Sequence, residues 1–286
     1  MSNARSVVAN SRRRVLVALA LAPLALGVAS SPARASGSGP VDVLYAGSLL
    51  DLMQNQIGPA FHRATGYSVN GFANGSSALV TEIKGGTEVA DVFLSASPSA
   101  DRVLEGSANG NWVSSYRTIG HSALVLGYNP ASTYAATLRS QPWYDVVGRA
   151  GFLLGRTDPA TDPKGVLAVT ALRSAARRFH RPHLAALAKS SANVFTETSL
   201  VGELDAGQLD AGFFYAVEAS AAHLRTVRLV GTNLAATYTV ALVNRAPHAA
   251  AARAFIAFLM SAEGRRILAS HGITPVSSTN GASTTP

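Results

Sequence analysis

The chain of 286 residues contains no cysteine. That excludes disulfides, thiolate metal centres, iron–sulfur clusters, a catalytic thiol and a lipid-modified N-terminal cysteine. Charge is sparse, with Asp, Glu, Lys and Arg together at 14%, and aromatic residues make up only 7%. The first 35 residues lack acids altogether but carry Arg5, Arg12, Arg13, Arg14 and Arg34. Without those five arginines the formal net charge of +8 falls to +3, so the basic balance does not argue for a nucleic acid partner. Long apolar runs are also missing. Val15–Ala29 is about 15 residues and is broken by Pro23, short of the roughly 20 that a bilayer span needs. Enzyme signatures are absent: G-x-S-x-G, the P-loop, H-E-x-x-H and G-x-G-x-x-G do not occur. The seven histidines are scattered, and only His180 and His183 lie close together, as a solvated helix end would place them.

The N-terminus is built as a secretory signal: a basic head, the apolar run, then Ala33-Arg34-Ala35 as an A-x-A cleavage site. Residues 1–35 are expected to be removed on export to the periplasm or cell envelope. Arg12-Arg13-Arg14 fits twin-arginine as well as Sec export. Residues 36–40 read as a Gly/Ser linker, and Ser277–Pro286 (SSTNGASTTP) as a disordered polar tail.

Between these ends, short β-type runs alternate with helical ones. Strands are expected at Val41–Ala46, Tyr67–Phe72, Val89–Ser95, Ser122–Tyr128, Gly151–Gly155, Asp210–Tyr215 and Tyr238–Val243. Helices are expected at Leu49–Ala64, Ser77–Lys84, Ser99–Glu105, Gly165–His180, Leu200–Ala206, Ala249–Leu259 and Ala262–His271. This alternation predicts an α/β fold of βαβ units on a mainly parallel sheet. The mature length exceeds what one small sheet needs. Two lobes are therefore expected, 41–120 with 236–276 as the first and 121–235 as the second, the chain crossing near 120 and 235.

One feature recurs where strands pass into helices: a small-residue turn carrying a hydroxyl or an acid. It is seen at Ala46-Gly47-Ser48, at Asn74-Gly75-Ser76-Ser77, at Asp158-Pro159 with Asp162-Pro163-Lys164-Gly165, and at Thr196-Glu197-Thr198-Ser199. Helix N-termini present unpaired N–H groups and partial positive charge, and parallel sheets gather such ends at the strands' carboxyl edge. Several of them aimed at one cleft bind an anion without Lys or Arg. Each turn also has an ordinary structural reading, since Ser, Thr and Asp are the favoured N-caps of any α/β protein. From the residues alone, the chain is an exported α/β protein with an anion-binding site.

The blocks YAGSLLDLM (45–53), GFANGSSALVTEIKGG (71–86), ADVFLSAS (90–97), RTDPATDPKG (156–165), ETSLVGELDAGQLDAGFFYAVEA (197–219) and AARAFIAFLMSAEGRRILASHG (251–272) carry a further observation. In this order they resemble the molybdate/tungstate-binding solute receptors of ABC transporters. The resemblance implies a two-lobed type II periplasmic-binding-protein fold that closes on an oxyanion at the hinge cleft. It implies a monomeric, non-enzymatic receptor without a cofactor, whose partners are molybdate or tungstate and a membrane permease. By the family's pattern Ser48 and Ser76 bind anion oxygens, with Ser77 as the neighbour to Ser76, and Tyr215 donates a hydroxyl. The two carboxylates that ligate the metal centre of the oxyanion fall on Asp162, with Asp158 as its rival, and on Glu197. Lys164 occupies the variable slot of D-P-x-G.

Electrostatics sharpens that implication. A carboxylate held about 4 Å from an anion is repelled by about 4 kcal/mol per unit charge at an effective dielectric near 20. Two such acids suit a ligand whose centre accepts them as oxygen donors, as Mo and W do. They are a fault opposite sulfate or phosphate, which with a small organic acid are the other anions such a fold could carry.

Overall fold

The computed structural model describes residues 37–276; the expected signal segment 1–35 and the tail 277–286 lie outside the described residues. The described part contains strands β1 (Pro40–Ala46), β2 (Ser68–Asn74), β3 (Val92–Ser95), β4 (Val113–Tyr128), β5 (Leu154–Thr157), β6 (Val194–Phe195), β7 (Ala211–Tyr215), β8 (Arg225–Arg228), β9 (Ala235–Val243) and β10 (Thr274–Pro275). Their order across the sheet is β2-β1-β3-β9-β4-β7-β5-β6, with β8 and β10 both added to β4.

The pairing is mixed. β1 runs parallel to β2 and β3, and β5 runs parallel to β6 and β7, as expected for βαβ units. Between these two parallel sets stand β9 and β4. β9 is antiparallel to β3 and to β4, and β4 is antiparallel to β7. β4 is the long connector: Val113–Ala123 pairs with β9, and Leu124–Tyr128 pairs with β7. Its register against β9 shifts between Val113 and Tyr116 and again between Thr118 and Gly120. At Gly120 a side chain has no room, because a Cβ there would lie 2.5 Å from Ile273 Cγ2 and 2.7 Å from the Thr274 carbonyl on β10.

Burial follows the two-residue period of strands. Val41, Val43 and Tyr45 face the larger core, together with Val92, Leu94, Phe213 and Tyr215, while Leu44 and Phe93 face a second core on the other side of the sheet. Both faces of β1 and β3 are therefore covered, which is why these strands read as mainly apolar runs, with Asp42 and Ser95 the polar exceptions. Phe61 meets Phe255 edge to face at 5.2 Å in the larger core, tying the helix Gly58–Thr65 to the helix Ala249–Met260. Helix ends follow the glycine signals. Gly66 and Gly86 take φ of 84° and 64° to close the helices Gly58–Thr65 and Ser76–Gly85.

Several elements differ from expectation. The third strand starts at Val92, since Val89 is exposed. β4 begins nine residues earlier than its apolar stretch. The short helices Ala135–Ser140, Trp143–Val146, Pro182–Leu187 and Ala216–Ala221 fall in segments assigned to no element. Among the described residues no helix is long and apolar enough to cross a membrane.

Candidate functional site

The turns that follow β1, β2, β5, β6 and β7 converge on one buried cluster, and each brings a different group. β1 runs into a short 3-10 turn, Gly47–Leu49, that buries Ser48. Ser48 Oγ lies 2.8 Å from the Tyr238 hydroxyl on β9. After β2, Gly75 leads into the helix Ser76–Gly85. Ser76 is fully buried, and its Oγ accepts the Ala96 N–H at 3.0 Å. Ser77 is half-buried and takes part through its backbone: its N–H and that of Ala78 donate to the Thr161 carbonyl, each at 3.2 Å. Those bonds pin the turn after β2 to the turn after β5.

Asp162 is the N-cap of the helix Pro163–Arg178, with Oδ1 accepting the Lys164 N–H at 2.8 Å. Its other oxygen, Oδ2, is buried without a hydrogen-bond partner. Asp158 by contrast is exposed and only closes its own turn, accepting the Ala160 N–H at 2.9 Å. Glu197 does not lie within a helix; it precedes the helix Leu200–Asp205 by three residues. Its carboxylate reaches back across the site, where Oε2 accepts the Gly47 N–H at 2.7 Å and Oε1 has no hydrogen-bond partner. Tyr215 ends β7 with its ring and hydroxyl fully buried, and that hydroxyl is likewise unpartnered. Thr157, at the end of β5, adds a fourth buried polar atom without a partner, Oγ1.

Glycine makes the close approach achievable. A Cβ on Gly47 would lie 3.0 Å from Glu197 Oε2, and one on Gly75 would lie 2.3 Å from the Thr161 carbonyl oxygen. No other residue fits at the second position.

Lys164, Glu218, Tyr238 and Thr157 belong to the cluster and were not singled out as site residues from the sequence. Lys164 is fully buried, and its Nζ lies 2.8 and 2.7 Å from the two Glu218 carboxylate oxygens and 3.7 Å from Glu197 Oε1. Glu218 had one available signal, its place three residues after Tyr215 at the start of the helix Ala216–Ala221; Tyr215 N–H donates to it at 3.4 Å. Tyr238 had none. It meets Ser48 from 190 positions away.

The electrostatics are those of a dry, acid-rich pocket. Burial, reinforced by the neighbouring Asp162 charge, pushes Glu197 up to about 8. Burial raises Asp162 and Glu218 as well, although Lys164 opposes it in both. Burial works against the Lys164 ammonium, but the Glu218, Glu197 and Asp162 carboxylates outweigh it and hold Lys164 above its usual value. Burial also lifts Tyr215 and Tyr238 well above the usual phenol, so both remain hydrogen-bond donors. A surface cavity of about 370 Å³, lined in part by Gly47, Ser48, Glu197 and Glu218, opens beside the cluster.

A second group of acids lies elsewhere and has a structural task. Asp91 accepts the Asp42 N–H at 2.8 Å and the His248 N–H at 2.7 Å, with the His248 ring 2.9 Å away. It joins β1 to the start of the helix Ala249–Met260.

Comparison with known proteins identifies the family and the fold. Residues 41–274 match the family model for bacterial extracellular solute-binding proteins. A putative ABC transporter molybdenum-binding protein of Haloferax volcanii is 30% identical over 218 residues, covering 74% of this chain and 68% of that protein. The molybdate/tungstate-binding protein WtpA of Pyrococcus abyssi is 22% identical over 209 residues, covering 55% of this chain and 61% of its own. Several further relatives are matched over little more than half of their own length. Among solved structures, the periplasmic molybdate-binding protein of Azotobacter vinelandii superposes with a TM-score of 0.64 at 16% identity, covering 82% of this chain and 98% of that one. The fold is that of the type II periplasmic binding proteins.

Proposed function

This chain belongs to the family of bacterial extracellular solute-binding proteins, and from that premise we propose that it captures molybdate or tungstate and delivers it to the permease of an ABC importer. The observation that carries the proposal is the set of buried, unpartnered oxygens: Asp162 Oδ2, Glu197 Oε1, the Tyr215 hydroxyl and Thr157 Oγ1. A buried polar group without a hydrogen bond costs about 1–3 kcal/mol, and four in one place are accounted for if a polar solute satisfies them.

The donor chemistry narrows the solute. Tyr215, Thr157 and the N–H groups of the surrounding turns suit the oxygens of a compact anion. Two free carboxylate oxygens suit the centre of such an anion only where it expands its coordination beyond four. Hard oxygen donors fit molybdenum and tungsten in that role. Opposite sulfate the same acids repel by several kcal/mol. In this reading Asp162 and Glu197 complete the metal's coordination, while Tyr215, Ser48 and Ser76 hold the oxyanion oxygens.

The proposed lobes, 41–120 with 236–276 and 121–235, meet across this cluster. The Gly47–Glu197 and Ser77–Thr161 bonds join the two across it. The protein acts as a monomeric receptor after export, and the relatives named for molybdenum and for molybdate/tungstate support the choice of ligand. Thermal denaturation with and without added oxyanion tests it. At a thousandfold excess over Kd, a ligand specific for the folded state adds about 4 kcal/mol, a rise of roughly 10 °C for a protein of this size. Tungstate and molybdate are expected to give that rise and sulfate almost none. A response to sulfate alone would reject the assignment.

A further inference from the structure

Lys164 stands in the variable position of D-P-x-G, yet it is the best-enclosed cation of the described chain and lies at the centre of the site. Its Nζ is seated near the faces of Phe214 and Tyr215, 5.7 and 5.8 Å from the ring centroids. An ammonium has three donors. Two are taken by the Glu218 oxygens at 2.8 and 2.7 Å, and Glu197 Oε1 stands nearby at 3.7 Å, beyond hydrogen-bond reach.

This geometry divides the three acids into two kinds. Glu218 is paired with Lys164 through both oxygens. Asp162 and Glu197 each have one oxygen committed to a backbone N–H and one free. Glu197 is held from two sides, by the Gly47 N–H on Oε2 and by the Lys164 charge facing Oε1.

Resting on the oxyanion reading above, we infer that Lys164, anchored by Glu218, is the residue that sets anion selectivity. It holds the Glu197 side chain in place as a ligand to an expanding metal centre, without offering the pocket a free cation that a tetrahedral anion could use. Lys164 acts through Glu197 and does not touch the anion, so it is a positioning residue.

Two variants separate this from a plain structural role. In Glu218→Gln the ammonium loses its ionic partner and swings to Glu197 Oε1. The pocket then gains one positive charge and loses one free carboxylate oxygen. In Lys164→Met with Glu218→Gln, the pair is replaced by neutral groups of similar length, so that neither Lys164 nor Glu218 is left as a charge without its partner. Kd for sodium tungstate and for sodium sulfate is measured by calorimetry on wild type and both variants. Tungstate-over-sulfate preference is expected to fall at least tenfold in each. In Glu218→Gln sulfate affinity should also rise. X-ray absorption at the tungsten edge should report six-coordination in wild type and fewer oxygen neighbours in the double variant. Equal losses for the two anions, or an unchanged preference in Glu218→Gln, overturn the inference. Failure of the wild type itself to bind tungstate rejects the oxyanion reading instead, so the two failures are distinguishable.

Discussion

At Tyr215 a phenolic hydroxyl is held in the interior with no partner in the protein, and a buried hydroxyl left unsatisfied costs about 1–3 kcal/mol. Replacing it with phenylalanine removes the unsatisfied atom and keeps the packed ring. Tyr215→Phe is therefore expected to raise the melting temperature of the ligand-free protein by a few degrees while weakening tungstate binding about tenfold, the loss of one hydrogen bond to an anion. Scanning calorimetry with and without tungstate reads both effects; a lower melting temperature for the empty variant would mean that the hydroxyl is already bonded. Residues of this kind were partly legible in the sequence. Ser48, Ser76, Asp162, Glu197 and Tyr215 were found because each lies beside a strand-to-helix turn or an equivalent position in the family pattern. Asp162 and Asp158 stand in the same short turn and only burial separates them, since one caps a helix inside the cluster and the other faces solvent. Glu218 and Tyr238 escaped because their roles depend on partners 54 and 190 positions away.

Elements meet at the site through backbone, and glycine governs how closely. Gly75 has φ −58° and ψ 136°, angles open to any residue, so its requirement is purely steric. A methyl group there would lie 2.3 Å from the Thr161 carbonyl and push the turn after β5 away from the start of the helix Ser76–Gly85. Gly75→Ala is expected to break the Ser77 and Ala78 bonds to Thr161, lower the melting temperature and weaken oxyanion binding at least tenfold, as measured by calorimetric titration. Unchanged binding would show that the two turns need not touch. At this scale the sequence was most informative where both faces of a strand are covered, as in β7, whose apolar run is unbroken, and in β1, whose run is interrupted only by Asp42. It was least informative in the first half of β4. Ser114, Ser115, Arg117 and His121 there are polar because one face of that stretch meets solvent, so no apolar run marks the strand. The antiparallel placement of β9 beside β3 was also hidden, because its partner strands precede it by more than a hundred residues.

For the whole molecule, the buried acids make stability depend on pH in a defined direction. Glu197 is raised from the model-peptide value of 4.5 to about 8, and Asp101, buried against Thr239, is raised to about 7. His248 is raised above 6.5 chiefly by its hydrogen bond to Asp91. Each group holds its proton more tightly folded than unfolded. Its stabilising contribution is complete below the unfolded pKa and is lost as pH climbs through the folded one. The melting temperature of the empty protein is therefore expected to fall steadily between about pH 5 and pH 8, and Glu197→Gln should flatten the slope. Calorimetry across that range decides it; a melting temperature that rises with pH would contradict the burial of Glu197 and Asp101.

The sequence by itself determined the α/β class, most of the strands and helices, the turns that carry hydroxyls and acids, and the family, because strand burial and helix capping are written in neighbouring residues. Tertiary structure alone decided that β4 and β9 stand antiparallel between the two parallel sets and that Lys164 is paired with Glu218. It also decided which oxygens stay free for a ligand. Those outcomes depend on charge and hydrogen-bond balance in a dry interior assembled from segments far apart in the chain, and no local pattern encodes that balance.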